Sequence, residues 1–476
     1  MVDGGVKKRF LWALVVMGLW VVLGGRVSGQ VTEFKGTAGV DWNNAANWTN
    51  GIPVAGGTFG LPAEPSPFPF AVPVVIDGHT ASAQFGLVGN EVGESAILYI
   101  QNGGSLNVSN VLWVGRFATG EIEISSGGAL TGGTLEFAGS AQGKVTVSGS
   151  GSLVSMIEAN FGNVVALATG NLTVSDGARA QFLVVAAGRA TLQVEGTAGA
   201  RGVLATNDFF GDPGTNATVT LAGGVVEAQT STGGLFGLGW SVVLAGEGGF
   251  VDTAGHAVGV DRAISGSGAL HKIGNGTLSL TGANTYSGGT VVSQGTLVVS
   301  GNSSVGSGTL QVGAGAVLAG TGTIAGNTVV DGVVSPGTSI GQLTITSASS
   351  NPTLTLGNSA VAHMEIGSLV SFDRVLADGP IAFDGTLEVA FLNGYLPALG
   401  NSFQLFAGGA PGTGGFDAVL FATPGYAGNF DPTSGTLVVT AVPEATTSLL
   451  VLAAATAALA RRRRGGWPRA AVGGRG

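Results

Sequence analysis

The sequence predicts an all-β chain wound as a right-handed parallel β-helix, a solenoid closed by a β-rich cap toward its C-terminal end. Three observations carry that expectation. Glycine supplies 86 of 476 residues and charged residues only 10%, a composition of many short strands and tight turns, without the every-third-residue glycine of collagen. A β-residue followed by a Gly/Ser-rich corner recurs as IQNGGSL at 100–106, ISSGGAL at 124–130 and VSGSGSL at 147–153, with degenerate copies from Val174, Val194 and Val219. Short runs such as Thr277-Leu278-Ser279-Leu280 alternate at period two, which places Leu278 and Leu280 on one buried face. Strands this short are unstable alone and must stack on copies of themselves.

Composition and charge narrow the function classes. With 44% apolar residues the chain is not of disordered composition. Between Gln30 and Val442 nine basic residues face 26 acidic ones, which argues against a nucleic-acid partner. The absence of cysteine removes disulfides and thiolate metal sites, so stability must come from the stacked core.

Residues 1–29 read as a Sec signal peptide. Lys7, Lys8 and Arg9 precede an apolar helical run over 10–23, and Val27-Ser28-Gly29 places cleavage between Gly29 and Gln30. Residues 30–80 form an N-terminal cap and a proline-rich wrap, since the prolines at 62–73 exclude regular strand pairing. Trp42 and Trp48 there could stack on a sugar, although large aromatics more often close the end of a core.

Residues 81–345 are the solenoid proper. The corner repeats recur at spacings of 24, 23, 27, 20 and 25 residues, one coil of three short strands each. About ten such coils at strand spacing would make a rod of roughly 50 Å. The clearest stretch, 268–301, reads GALHKIGNGTLSLTGANTYSGGTVVSQGTLVVSG. Its Leu270, Lys272, Gly274, Gly276-Thr277-Leu278, Asn284-Thr285-Tyr286, Gly288-Gly289-Thr290 and Gly295-Thr296-Leu297 resemble, in order, the autotransporter-associated β-strand repeat of bacterial surface proteins. The resemblance implies a parallel β-helix on the cell surface and implies no catalytic residue. The Trp/Asn segment at 41–48 is similar to one that often opens such proteins, and the run from Ser335 to Leu343 resembles a motif that commonly ends their β-helix.

Residues 346–440 change character, with more aromatics and runs such as Thr386-Leu387-Glu388-Val389. They read as a β-sandwich-like cap or as the last, irregular coils, either of which would hide an exposed strand edge. Residues 441–476 end the chain with Val442-Pro443-Glu444-Ala445, an apolar transmembrane helix at 446–460, and Arg461, Arg462, Arg463 and Arg464. This tail resembles the PEP-CTERM sorting signal, although Ala445 stands in the place of its second proline and twelve residues follow the arginines. The resemblance implies an exosortase-like processing partner. The arginines favour the cytoplasmic side, and fifteen apolar residues barely span ~30 Å of hydrocarbon, which suits a transient inner-membrane anchor.

No residue pattern specifies catalysis, a cofactor or a metal. His79, His256, His271 and His363 stand apart, without metal-ligand spacing. Glu121 and Glu123 alternate with Ile122 and Ile124, as on a solvated outer face, and Asp373 and Asp384 could share a face but have no base nearby. The expected function is a structural or adhesive role on the cell envelope or in extracellular matrix. The partners are then the Sec machinery, the processing enzyme, and surface polysaccharide or further copies of the chain. The alternatives are a carbohydrate-active β-helix enzyme, or a glycan-binding module built on Trp42 and Trp48.

Overall fold

In a computed structural model the described residues form a parallel β-solenoid, with almost no helix among them. The structure describes residues 31–33, 41–48, 52–54, 58–61, 74–89, 95–116, 118–137, 142–161, 169–300, 305–346 and 353–443. The signal peptide with its Gly29/Gln30 cleavage site, most of the proline-rich wrap, Glu444, the apolar segment 446–460 and the arginine cluster lie outside them. Among the described residues no helix is long and apolar enough to cross a membrane. Two compact units are present, Met1–Gln311 with Thr323–Gly326, and Val312–Gly322 with Asn327–Gly476.

In the first unit each coil has three strand segments. The first segment stacks Ala96–Gln101, Gly120–Ile124, Gly143–Ser148 and Gly170–Ser175 in parallel register. The ladder then runs on, so that Leu98, Ile122, Val145, Leu172, Leu192, Val219 and Val242 lie one above the next. All seven are buried, and burying such a side chain stabilises by roughly 1.5–3 kcal/mol. The second and third segments share one bent strand, as in Ser105–Val114, Ala129–Phe137 and Leu153–Phe161. Leu106 over Leu130 over Val154, and Leu112 over Leu135 over Ala159, fill the interior from these two faces. At the bend Gly132 has φ 144°, and a Cβ there would lie 1.8 Å from the Val108 carbonyl oxygen, so the close approach of two coils requires glycine.

Two repeat copies are displaced from their expected register. Val154, not Leu153, stacks on Leu130. The corner between Val147 and Val154 holds one residue more than its neighbour, absorbed by positive φ at both Gly149 and Gly151. Likewise Leu221, not Val219, continues the column of Val194, because Val219 stacks on Leu192. An antiparallel excursion, Gly196 against Arg201, lengthens that coil and blurs the spacing.

The N-terminal cap joins the same unit. Trp42 N donates to the Val75 carbonyl at 3.0 Å, a 3₁₀ turn spans Ala45–Asn47, and Thr58–Leu61 pairs in parallel with Thr80–Val88.

In the second unit the region read as a β-sandwich-like cap or as the last, irregular coils consists mostly of coils. Val317, Val333, Val361, Thr386 and Ala418 form one parallel ladder, and Thr328, Leu354 and Ile381 another. The solenoid therefore continues past the motif at 335–343, through residue 421. Coil spacing along the first ladder varies from 16 to 32 residues, and this irregularity is what hides the repeat in the sequence. At the end an antiparallel sheet forms from Ser402–Gln404, Thr436–Ala441 and Ala427–Asp431. Phe430 of that sheet packs against Phe383, Phe406 and Phe416 with centroids 4.9–5.8 Å apart, covering the last coil.

Candidate functional site: the lysine-clamped repeat

Within the first unit, the stretch that carried the sequence resemblance winds through one coil and into the next. Leu270–Ile273 stacks under Thr290–Val292, and Thr277–Leu280 under Thr296–Val299. The Asn-Thr-Tyr segment takes the place of the first strand. Thr285 N donates to the Ile264 carbonyl at 2.8 Å, and Ile264 N donates to the Asn284 side-chain oxygen at 2.9 Å. The Tyr286 ring turns fully inward, and its hydroxyl meets Thr290 Oγ1 at 2.6 Å; burial raises the phenol pKa above its ordinary value. The motif residues are thus the internal fittings of a coil whose first face lacks a regular strand.

Lys272 is the least expected of them. It occupies an inward column, stacked between Val251 and Val292, and is 0% exposed. Its ammonium donates to Thr253 Oγ1 (2.9 Å), to the Ile273 and Gly274 carbonyls (2.9 and 2.6 Å) and to the Gln294 carbonyl (3.1 Å). Thr253, Gly274 and Gln294 lie at one corner of three successive coils, so a single side chain ties all three. Burial pulls the ammonium pKa down to about 8, and the nearby Asp252 carboxylate acts in the opposite direction.

Outside this corner, Phe250 lies between the Arg201 guanidinium, 3.6 Å from its ring centroid, and the His271 imidazole, stacked at 4.3 Å. Burial, and after it the Arg201 charge, lower the His271 pKa from its ordinary value. Arg179 forms a two-pronged pair with Glu227 at 3.0 and 2.5 Å. Gln181, Ala205 and Glu227 stack in register, so the Arg179–Glu227 pair reaches across an intervening coil, as does Arg201 to Phe250, while His271 lies one coil beyond Phe250.

The other titratable residues singled out in the sequence hold structural posts. Glu121 and Glu123 do face outward, and Glu121 pairs with Lys144 of the next coil. Asp373 and Asp384 do not form a pair working on common ground. Asp373 is fully buried and accepts from Gly341 N (2.7 Å) and Glu365 N (2.9 Å), while Asp384 accepts from Gly385 N at 2.8 Å. Burial pushes the Asp373 carboxyl up to about 6. His363 lies 3.5 Å from Glu388, and His79 contacts the Asp77 carbonyl. Glu136, which belongs to no motif, is pushed up to about 7 by burial and accepts from Asn160 Nδ2 at 3.1 Å. Among the described residues no three His, Asp or Glu side chains group as metal ligands.

Trp42 and Trp48 lie as large aromatics that close the end of a core, the commoner of their two readings, and present no exposed ring face. The two indoles are 0% and 2% exposed. They meet edge to face at 4.7 Å, Trp42 packs on Phe59 at 4.9 Å, and Trp48 Nε1 donates to the Trp42 carbonyl at 2.8 Å. Of the expected sorting residues, Val442 and Pro443 are described, and both are exposed.

The family model described as passenger-associated-transport-repeat matches residues 270–299, the coil clamped by Lys272. A comparison with curated proteins finds no match.

Proposed function

We propose that the chain is an exported, non-enzymatic surface protein whose right-handed β-solenoid serves a structural or adhesive role on the cell envelope or in extracellular matrix. The observation that carries this reading is the repeat match at 270–299, set in a parallel solenoid whose perturbed groups, Lys272 and Asp373, are committed to coil-to-coil bonds. Two features of the sequence support export: the basic and apolar run before Gly29, and the Val442-Pro443-Glu444 segment followed by an apolar stretch and Arg461–464. In this reading the Sec machinery removes residues 1–29. The tail anchors the chain briefly in the inner membrane, and an exosortase-like enzyme then cuts near Pro443. The acidic body presents its outer rows to glycans or to further copies of the chain.

The test is the intact mass of the protein recovered from the envelope and medium of its native host. A species running from Gln30 to about Pro443 is the expected product. A mass retaining Arg461, Arg462, Arg463 and Arg464 would make the tail a permanent anchor and remove the sorting step. Polysaccharide cleavage abolished by a single His or Asp substitution would overturn the non-enzymatic role.

A further inference from the structure

We propose that two apolar loops at one corner of the second unit rest on a lipid bilayer surface, beside the point where the chain leaves toward its C-terminal apolar segment. Ile366 pairs with Phe391, and Leu392 N donates to the Ile366 carbonyl at 2.9 Å. The loops that follow, 367–371 and 392–400, therefore leave adjacent coils at the same corner.

Both loops are built rather than frayed. In the first, Gly367 N and Ser368 N donate to the Ser371 carbonyl, and Ser368 Oγ accepts from Val370 N and Ser371 N. This closure presents Leu369 and Val370 to solvent, 53% and 92% exposed. In the second, Tyr395 N donates to the Leu392 carbonyl, and Asn401 exchanges bonds with Ala398, which leaves Leu396 and Leu399 each 65% exposed. Beneath them Phe391 packs on Tyr426 at 4.8 Å and Phe372 on Phe403 at 5.5 Å. No charged side chain occurs at 367–372 or anywhere from Leu392 to Phe416. Exposed apolar residues gathered without charge mark a contact surface.

The route of the chain selects the occupant. The Tyr426 hydroxyl donates to the Pro397 carbonyl at 3.3 Å, and the neighbouring Gly425 packs so closely on Pro443 that a Cβ would meet it at 3.1 Å. Only Glu444 and Ala445 separate Pro443 from the apolar stretch that starts at Thr446. Three residue steps reach at most about 11 Å. Once that stretch enters a bilayer, this corner is held at the headgroup level, where exposed Leu and Val side chains transfer favourably out of water. The inference rests on the membrane reading of the tail given above.

The natural absence of cysteine makes the test direct. Full-length chains carrying Val370→Cys or Leu396→Cys are labelled with an environment-sensitive fluorophore and reconstituted into phosphatidylcholine vesicles containing nitroxide-labelled lipid. Thr218→Cys, on an outer row of the first unit, is the reference. The expected result is flotation of all three with the vesicles, and several-fold stronger quenching at 370 and 396 than at 218. Flotation with equal quenching at all three positions overturns the loop contact and leaves the tail reading intact. Failure to float removes both. Labels at 370 and 396 shielded equally without vesicles, in step with protein concentration, would make the corner a contact between copies and overturn the lipid assignment.

Discussion

The Lys272 ammonium donates to the Gln294 carbonyl one coil further on, 3.1 Å away, from a side chain that sits wholly inside the solenoid. An inward lysine is costly unless its charge is bonded or lost. Here both routes are open: four oxygens surround it, and its pKa falls to about 8.

Lys272→Met keeps the apolar stem and removes the donor. Below the folded pKa both states of the wild type hold the proton; between about 8 and the ordinary lysine value of 10.5 only the unfolded state does. Stability from this group is therefore full above that upper value and is lost as the pH falls through about 8. At pH 9 the variant should be less stable by about 1–3 kcal/mol. That gap should narrow toward pH 7 and widen toward pH 10, by at most about 1.4 kcal/mol per pH unit. Urea unfolding of both proteins across this range checks it, and a gap constant with pH would show that the amine releases its proton no more readily inside the core than in the unfolded chain.

Asp373 gives the opposite slope. Its carboxyl is buried between two backbone donors and pushed up to about 6 from 3.8. The folded state thus holds the proton longer, so stability from this group is full below the unfolded pKa and is lost as the pH rises through about 6. Asp373→Asn cannot titrate, and its amide sets a donor against one of the two N–H groups. Relative to this variant, wild type should lose stability between pH 4 and pH 6 and hold a constant difference above about pH 7, which thermal unfolding midpoints would show. A difference independent of pH would mean that the carboxyl titrates alike in the folded and unfolded chain.

The sequence made the coil legible wherever a column was uniform. Leu98, Ile122 and Val145 sit at near-constant spacing, and their alternation with Glu121 and Glu123 exposes the strand and its inner face. The repeat became illegible where a corner changed length, as at Gly149 to Ser152 and between Gly196 and Arg201, since strand pairing tolerates such insertions without losing register. Past Val333 the coils stretch to 25–32 residues and aromatics replace small residues, which read as a different domain. Lys272 was visible as a motif residue, but a lysine on an alternating strand reads as outward. Only the ring of acceptors contributed by three coils shows why it points in.

Phe137 and Phe161 stack one coil apart, with centroids 4.3 Å apart and planes 10° off parallel. The adjacent Gly170 has no room for a side chain: a Cβ would lie 2.5 Å from the Phe161 ring and 2.9 Å from that of Phe137. Gly170→Ala should therefore destabilise by about 1–3 kcal/mol through overpacking. Gly255→Ala, whose Cβ would meet nothing within 4 Å, pays only for its positive φ and should cost roughly 1–2 kcal/mol. Denaturant midpoints compare the two, and the packing argument fails if relief of the stack by Phe161→Leu does not reduce the penalty of Gly170→Ala.

Trp42 and Trp48 supply the final test, because it separates core closure from ligand binding. Both indoles are buried against each other and Phe59, and Trp42 N also bonds the first described coil at Val75. Trp42→Ala should destabilise by about 3–5 kcal/mol, the usual range for emptying a large aromatic site. Trp42→Phe retains part of the edge-to-face contact and should cost less. Neither change alters an exposed surface, so affinity for any polysaccharide that the folded protein retains should be the same in Trp42→Phe and wild type. Isothermal titration under conditions where both are folded measures this. A loss of glycan affinity in Trp42→Phe without a loss of stability would restore the tryptophans as a binding site and count against their role as the lid of the first coil.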